Sequence, residues 1–215
     1  MSIYQIEPVL LFDANMFIID GDRPLLVDAG TGFKIDSTIA SVEKILKGRK
    51  LEGIILTHRH FDHVGGAMAV SEATGAKLYA GVGDAAPLRA GDSESTMGVE
   101  FGGRIDPMPI IDLHDGDVVE TGTYTLKVIS TPGHTIGSIC LYDDISKSLI
   151  SGDTLFVSGI GRYDLPTASR TDLVESLRKL YRLQAQALYP GHGPDFKGNV
   201  SDLAVNGLRM LGERI

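Results

Sequence analysis

Four potential metal ligands in this 215-residue chain each stand just past a run that reads as a β-strand, and that repetition constrains the fold more than any other feature. Ile54-Ile55-Leu56-Thr57 precedes His58, and Val128-Ile129-Ser130-Thr131 precedes Pro132-Gly133-His134. Leu149-Ile150-Ser151-Gly152 precedes Asp153, and Ala187-Leu188-Tyr189 precedes Pro190-Gly191-His192. Groups placed beyond the ends of neighbouring strands converge at one edge of a sheet, so one pocket is expected to hold them all. The densest segment, His58-Arg59-His60-Phe61-Asp62-His63, puts three imidazoles and a carboxylate within six residues. Alternate positions of extended backbone point the same way, so His58 and His60 can grip one ion from one side. Asp62 and His63 follow where the loop turns into a helix and can face a second ion, and the paired glycines Gly65-Gly66 let backbone approach closely. Neutral imidazole and carboxylate suit zinc, iron or manganese better than calcium.

Each piece alone has a plainer reading. A lone His-x-His is as easily a pair of solvated loop histidines, Pro-Gly-His is commonly a turn, and an isolated aspartate after a strand is commonly a cap. Their shared strand-end context is what favours a site. His114, in Asp112-Leu113-His114-Asp115-Gly116-Asp117, lies outside that context and reads as part of a turn. Cys140, the only cysteine, excludes an internal disulfide and reads as an inert residue of a strand.

The pattern along the chain alternates strand and helix. Val9 to Phe12, Met16 to Asp20 and Leu25 to Asp28 read as strands, with a Gly21-Asp22 turn. A helix follows from Ile35, burying Ile39, Val42, Ile45 and Leu46 behind Asp36 or Ser37 as caps. Further helices are expected over Val64 to Ala73, around Leu173, Leu177, Leu180 and Tyr181 behind Ser169 or Thr171, and from Ser201 to Gly212. Further strands are expected at Gly53 to Thr57, Ala76 to Ala80, Thr123 to Thr131, Ser138 to Tyr142 and Ser148 to Ser151. Gly81 to Pro109 reads as a long excursion with one short helix near Ala85 to Arg89, in which Phe101, Met97 and Met108 are either an apolar lid or packing beneath a loop.

Length and composition suit one α/β domain over residues 1–215, since domains average about 150 residues and the chain is 43% hydrophobic and 22% charged. Two sheets face to face with helices on both outer sides are expected, a four-layer αββα sandwich. A formal charge of −8 argues against nucleic acid as a partner. No apolar stretch approaches the roughly 20 residues of a membrane span, and Met1-Ser2-Ile3-Tyr4-Gln5 lacks a secretion signal, so a cytoplasmic location is expected.

The order His58-x-His60-x-Asp62-His63, His134, Asp153, His192, with Val27-Asp28-Ala29-Gly30 ahead of it, resembles the metallo-β-lactamase fold superfamily over nearly the whole chain. Within it the chain is most similar to glyoxalase II-type hydrolases. That resemblance implies two divalent ions, zinc foremost, one held by His58, His60 and His134, the other by Asp62, His63 and His192, with Asp153 bridging. Many lactam-hydrolysing members have cysteine where this chain has Asp153. Two ions roughly 3.5–4 Å apart sharing a water lower its pKa toward about 7, making hydroxide available to attack a polarised carbonyl. Asp62 is then placed to orient that water or take its proton, and Asp28 to fix a ligand histidine through its second ring nitrogen.

Arg162 and Tyr163, in Gly159-Ile160-Gly161-Arg162-Tyr163-Asp164, resemble a segment beside the thiol substrate in glyoxalase II-like and persulfide dioxygenase-like proteins. Arg162 is expected either to fork onto a substrate carboxylate or to pair with Asp164, and Tyr163 to wall the pocket. Only Gly193 to Ile215 follow the last ligand, too few for the helical domain that completes the glutathione site in full-length glyoxalase II. A thioesterase or ester hydrolase acting on a small acyl molecule is therefore the expected function. The alternatives are a persulfide dioxygenase with one iron on His58, His134 and Asp153, a lactonase or lactamase, and a non-catalytic metal-binding module.

Overall fold

In a computed structural model, residues 1–214 are described, and alternating apolar residues build two six-stranded sheets. The first runs in the order β1 (Ile3–Ile6), β2 (Met16–Ile19), β3 (Leu25–Val27), β4 (Gly53–Leu56), β5 (Lys77–Gly81), β6 (Ile110–Leu113). Its β1-β2-β3 portion is an antiparallel meander, and β3 to β6 are parallel, joined through α1 (Ile35–Leu46), α2 (Phe61–Val64), α3 (Ala67–Thr74) and α4 (Val82–Ala90). In the second half come β7 (Val118–Glu120), β8 (Thr125–Ser130), β9 (Ile139–Asp143), β10 (Ser148–Gly152), the ribbon β11 (Leu155–Phe156) with β12 (Gly159–Ile160), then α5 (Arg170–Arg182), β13 (Ala187–Pro190), β14 (Phe196–Lys197) and α6 (Val200–Met210). The second sheet has the order β14-β13-β10-β9-β8-β7, with only β10 and β13 parallel.

Period-two alternation assigns each side chain to a layer. Phe17, Ile19, Leu25, Val27 and Ile55 point between the sheets, where they meet Leu126, Val128, Ile139, Leu141 and Ile150. Their neighbours Met16, Ile18, Leu26, Ile54 and Leu56 point outward onto Val42 and Leu46 of α1, Val70 of α3 and Leu88 of α4. On the other sheet Ile129, Cys140, Leu149 and Leu188 face Leu173, Leu177 and Leu180 of α5 and Ala204 and Leu208 of α6. Each such burial contributes about 1.5–3 kcal/mol, and the result is the expected αββα sandwich.

Several local expectations are corrected. Val9 to Phe12 is not a strand: Asp13 closes the segment into a turn, its carboxylate accepting from Leu10 N and its own N donating to Leu10 O, while the first strand is Ile3–Ile6. Leu11 is fully exposed there, so the apolar run was not a buried strand. The helix expected over Val64 to Ala73 is two, α2 and α3, broken at Gly65-Gly66, where a Cβ on Gly66 would overlap the carbonyl of Ala29. Neither Asp36 nor Ser37 caps α1, whose N-cap is Lys34 without a side-chain bond; Ser169 does cap α5, accepting from Asp172 N. Tyr181 is exposed, and Val174 takes its place on the buried face of α5. The Gly81 to Pro109 excursion carries the nine-residue α4, and β6 and β7, four and three residues long and too short to show a period, follow it.

Candidate metal centre

Each ligand candidate sits where a strand ends at the same rim. Thr57 and His58 leave β4, Asp153 leaves β10 and His192 follows β13, with Asp62 and His63 in the first turn of α2. The strand end of β3 reaches across to them. Asp28, at φ +60, accepts from the backbone N and the hydroxyl of Thr57, both at 2.8 Å. A left-handed conformation costs a non-glycine residue about 1–2 kcal/mol, which these bonds offset. The same carboxylate lies 2.8 Å from His63 Nδ1, which turns His63 Nε2 toward the rim.

Three overlapping sets of donor atoms fall within 4.8 Å of one another: His58, His60 and His134; His58, His63 and Asp153; Asp62, His63 and His192. His60 Nδ1 is 2.9 Å from His134 Nε2, and Asp62 Oδ2 is 3.0 Å from His192 Nε2. Asp153 lies between the halves, Oδ1 3.3 Å from His63 Nε2 and Oδ2 3.6 and 3.7 Å from His134 Nε2 and His192 Nε2. His134 is oriented in turn by the Arg162 carbonyl, 2.8 Å from its Nδ1. Gly191 is required by this crowding, since a Cβ there would overlap Asp153 Oδ1 and His63 Cε1.

His58 Nε2, His63 Nε2 and Asp153 Oδ1 are buried without a hydrogen-bond partner. Orphaned buried polar atoms carry a desolvation cost of about 1–3 kcal/mol each, and three donors within 4.8 Å of one another fit a divalent cation. The electrostatics agree. Burial, followed by the neighbouring imidazoles, holds His58 well below the usual histidine range, and burial and His134 bring His60 to about 3. Both are neutral at pH 7, as a metal ligand must be. Burial opposes ionisation of Asp62, but His63 and His192 outweigh it and keep its carboxyl low. His63, His192 and His134 likewise overcome burial at Asp153. His63 is raised well above its usual value against its own burial because Asp153, Asp28 and Asp62 surround it, and a bound cation would replace that proton.

Further positioning residues escaped the sequence reading. Asn15 Nδ2 donates to the carbonyls of Pro190 at 3.0 Å and Gly193 at 2.8 Å, framing His192, and Ala14 N donates to Asp62 O. Asp84 of α4 is fully buried and pairs with the equally enclosed Arg59 at 3.2 Å. Burial raises the Asp84 carboxyl even against Arg59 and the hydrogen bonds it accepts, so enclosing this carboxylate carries a desolvation cost. No periodicity marks Asp84 in the sequence.

Arg162 does not offer a free fork: its Nε and Nη2 each lie 2.9 Å from an oxygen of Asp164, and both side chains are largely exposed. Arg162 and Tyr163 line a cavity of about 500 Å³ with Ile160, Asp164 and Met210. His114 is an exposed turn residue, its backbone N bonded to Asp117. Cys140 is buried and its thiol is pushed up to about 11 by burial, as an inert strand residue requires. Met108 is core, and Phe101 packs with ring centroids 5.8 Å from both Phe12 and Phe61, beneath the loop rather than as a free lid.

Residues 10–192 match the metallo-beta-lactamase superfamily. The chain belongs to the metallo-beta-lactamase superfamily. Superfamily relatives include a protein named as a probable metallo-hydrolase from Methanocaldococcus jannaschii, 34% identical over 191 residues, covering 85% of this chain and 88% of that one. A hydroxyacylglutathione hydrolase of Rhodospirillum rubrum is 35% identical over 158 residues, 73% of this chain but 53% of its own length. Among solved superfamily structures, a B3 metallo-beta-lactamase named BLEG-1 has a TM-score of 0.80 at 26% identity, covering 98% of this chain and 99% of that one. TTHA1623, in a di-iron-bound form, has a TM-score of 0.75 at 28% identity, covering 92% and 94%. Among the described residues, no helix is long and apolar enough to cross a membrane.

Proposed function

We propose that the protein is a dinuclear-metal thioesterase or related ester hydrolase of the glyoxalase II type, working as one domain over residues 1–215 in the cytoplasm. The observation that carries this is Asp153 standing between two triads, within 3.3–3.7 Å of His63, His134 and His192. His58, His60 and His134 would hold one divalent ion, Asp62, His63 and His192 the other, and Asp153 both, with zinc foremost and iron or manganese as alternatives. When bound, such ions act as Lewis acids and supply a deprotonated water at neutral pH. The chain does the rest. Asp62, 3.0 Å from His192 and 3.7 Å from His63, is placed to orient the attacking water or to accept its proton. A thiolate or alkoxide product leaves without a strong acid.

The partner is a small acyl thioester or ester; the net charge of −8 disfavours a phosphate backbone, and membrane binding has no support in the chain. The lactamase resemblance is weighed against by the aspartate at 153, where many lactam-hydrolysing members place cysteine. One-iron persulfide oxidation on His58, His134 and Asp153 would use the same residues. Metal analysis of protein purified without added metal, followed by a thioester panel, tests the proposal. About two ions per chain with thioester turnover is the expected result; about one iron with oxygen uptake on a persulfide would replace it with the dioxygenase, and metal retained with no turnover on any thioester or ester would replace it with a binding module.

His60→Ala is expected to lower metal content and turnover together, and elemental analysis showing full occupancy would remove His60 from the ligand set. Arg162→Ala is expected to raise KM for anionic substrates about tenfold with kcat nearly unchanged, through loss of charge-assisted pairing. To act so, Arg162 must exchange Asp164 for the substrate carboxylate. An unchanged KM would leave it as the partner of Asp164 alone.

A further inference from the structure

The two halves of the centre rest on different supports. His63 and His192 are held by Asp28 and by the Asn15 loop. Asp28 reaches the three-histidine half only at His58, through Thr57, whose backbone N and hydroxyl donate to it and whose Oγ1 lies 3.2 Å from His58 Nδ1, and among the described residues neither support bonds to His60 or His134. Arg59 stands between His58 and His60, and its backbone N donates to Asp84 Oδ2 at 3.0 Å. Thr135, the residue after His134, donates its hydroxyl to the same oxygen at 2.6 Å, and Gly137 N donates to Asp84 Oδ1 at 3.1 Å. The Arg59 guanidinium completes the pair and reaches Thr167 Oγ1, in the segment that runs from Arg162 to the start of α5. One buried carboxylate thus binds the loops of both His60 and His134, whose ring nitrogens sit 2.9 Å apart, while its cationic partner anchors the loop behind them.

We propose that the Arg59–Asp84 pair is the positioning device of the His58, His60 and His134 half, setting the affinity of that half for its ion without touching it and leaving the Asp62, His63 and His192 half to Asp28 and Asn15. This rests on the dinuclear reading above. Asp84 accepts bonds from both ligand loops, so its loss frees them to shift relative to each other. An error of tenths of an ångström between three imidazoles weakens a shared ion, and changes at such outer partners typically cost about 10- to 100-fold in metal affinity. Asp84 is therefore a positioning residue.

The test is zinc occupancy at each half, from anomalous scattering of crystals equilibrated across a series of zinc concentrations, with melting of the metal-free protein in parallel. Single deletions strand a buried charge, so Asp84→Asn is accompanied by the paired variant Arg59→Met with Asp84→Asn, which removes both charges, and by Asn15→Ala. In both Asp84 variants the three-histidine position is expected to need about 10- to 100-fold more zinc for half-occupancy, with the other position changed less than about threefold. Asn15→Ala is expected to do the reverse. Equal weakening of both positions in the folded paired variant, or wild-type occupancy of both, would overturn the proposal and assign the pair to stability alone. Wild-type protein with one occupied position would instead overturn the dinuclear reading, and the inference with it.

Discussion

Asp153→Ala is expected to lose both ions and to reduce turnover by on the order of a thousandfold. The carboxylate is the one group shared by the two triads, within 3.3–3.7 Å of His63, His134 and His192. Without it, His134 loses its carboxylate neighbour, His192 keeps Asp62 alone, and His63 keeps Asp28 and Asp62. Removing the neutralising group at a two-ion site forfeits several kcal/mol of charge stabilisation, and about 4 kcal/mol corresponds to a factor near a thousand in rate. Elemental analysis and kcat/KM on a thioester measure the two effects separately. Retention of one ion with normal turnover would contradict the bridging position.

Arg59→Ala, or Asp84→Ala alone, is expected to destabilise the metal-free fold by about 3–5 kcal/mol, because each leaves the other charge buried and unpaired. Asp84 is fully enclosed and the Arg59 side chain is only 6% exposed, so water cannot screen the survivor. For a chain of this size that is a melting shift of roughly 6–20 °C. Urea denaturation of metal-free protein gives the free energy directly. A change below about 1 kcal/mol would show that the surviving side chain reaches solvent and that the pair is not enclosed.

The layers of the fold were legible because a buried strand must alternate. Phe17 and Ile19 go between the sheets and Met16 and Ile18 go outward, an alternation that strand geometry requires, although only packing decides which set takes which layer of this all-apolar run. Helices with one apolar face, such as Leu173, Leu177 and Leu180 on α5, were equally plain. Val9 to Phe12 misled for the same reason, since a short apolar run carries no period and a single carboxylate, Asp13, was enough to fold it into a turn. Tyr181 lay close enough to the apolar stripe of α5 to be counted in it, and only packing decided that Val174 belonged there instead.

Among the site residues, those announced by chemistry were visible in advance and those acting through shape were not. His58, His60, Asp62, His63, His134, Asp153 and His192 stand out because imidazoles and carboxylates recur just past strands, and the structure brings all seven to one rim. Arg59, Asp84 and Asn15 are common residue types in unremarkable positions, and they matter only because distant backbone approaches them. Local sequence determined the main helices, most of the central strands and which groups are able to ligate a metal, since these follow from backbone periodicity and side-chain chemistry. Tertiary structure alone decided that Asp84 would lie beneath the loops of His60 and His134, because contacts across tens of residues depend on how the sheets and helices pack.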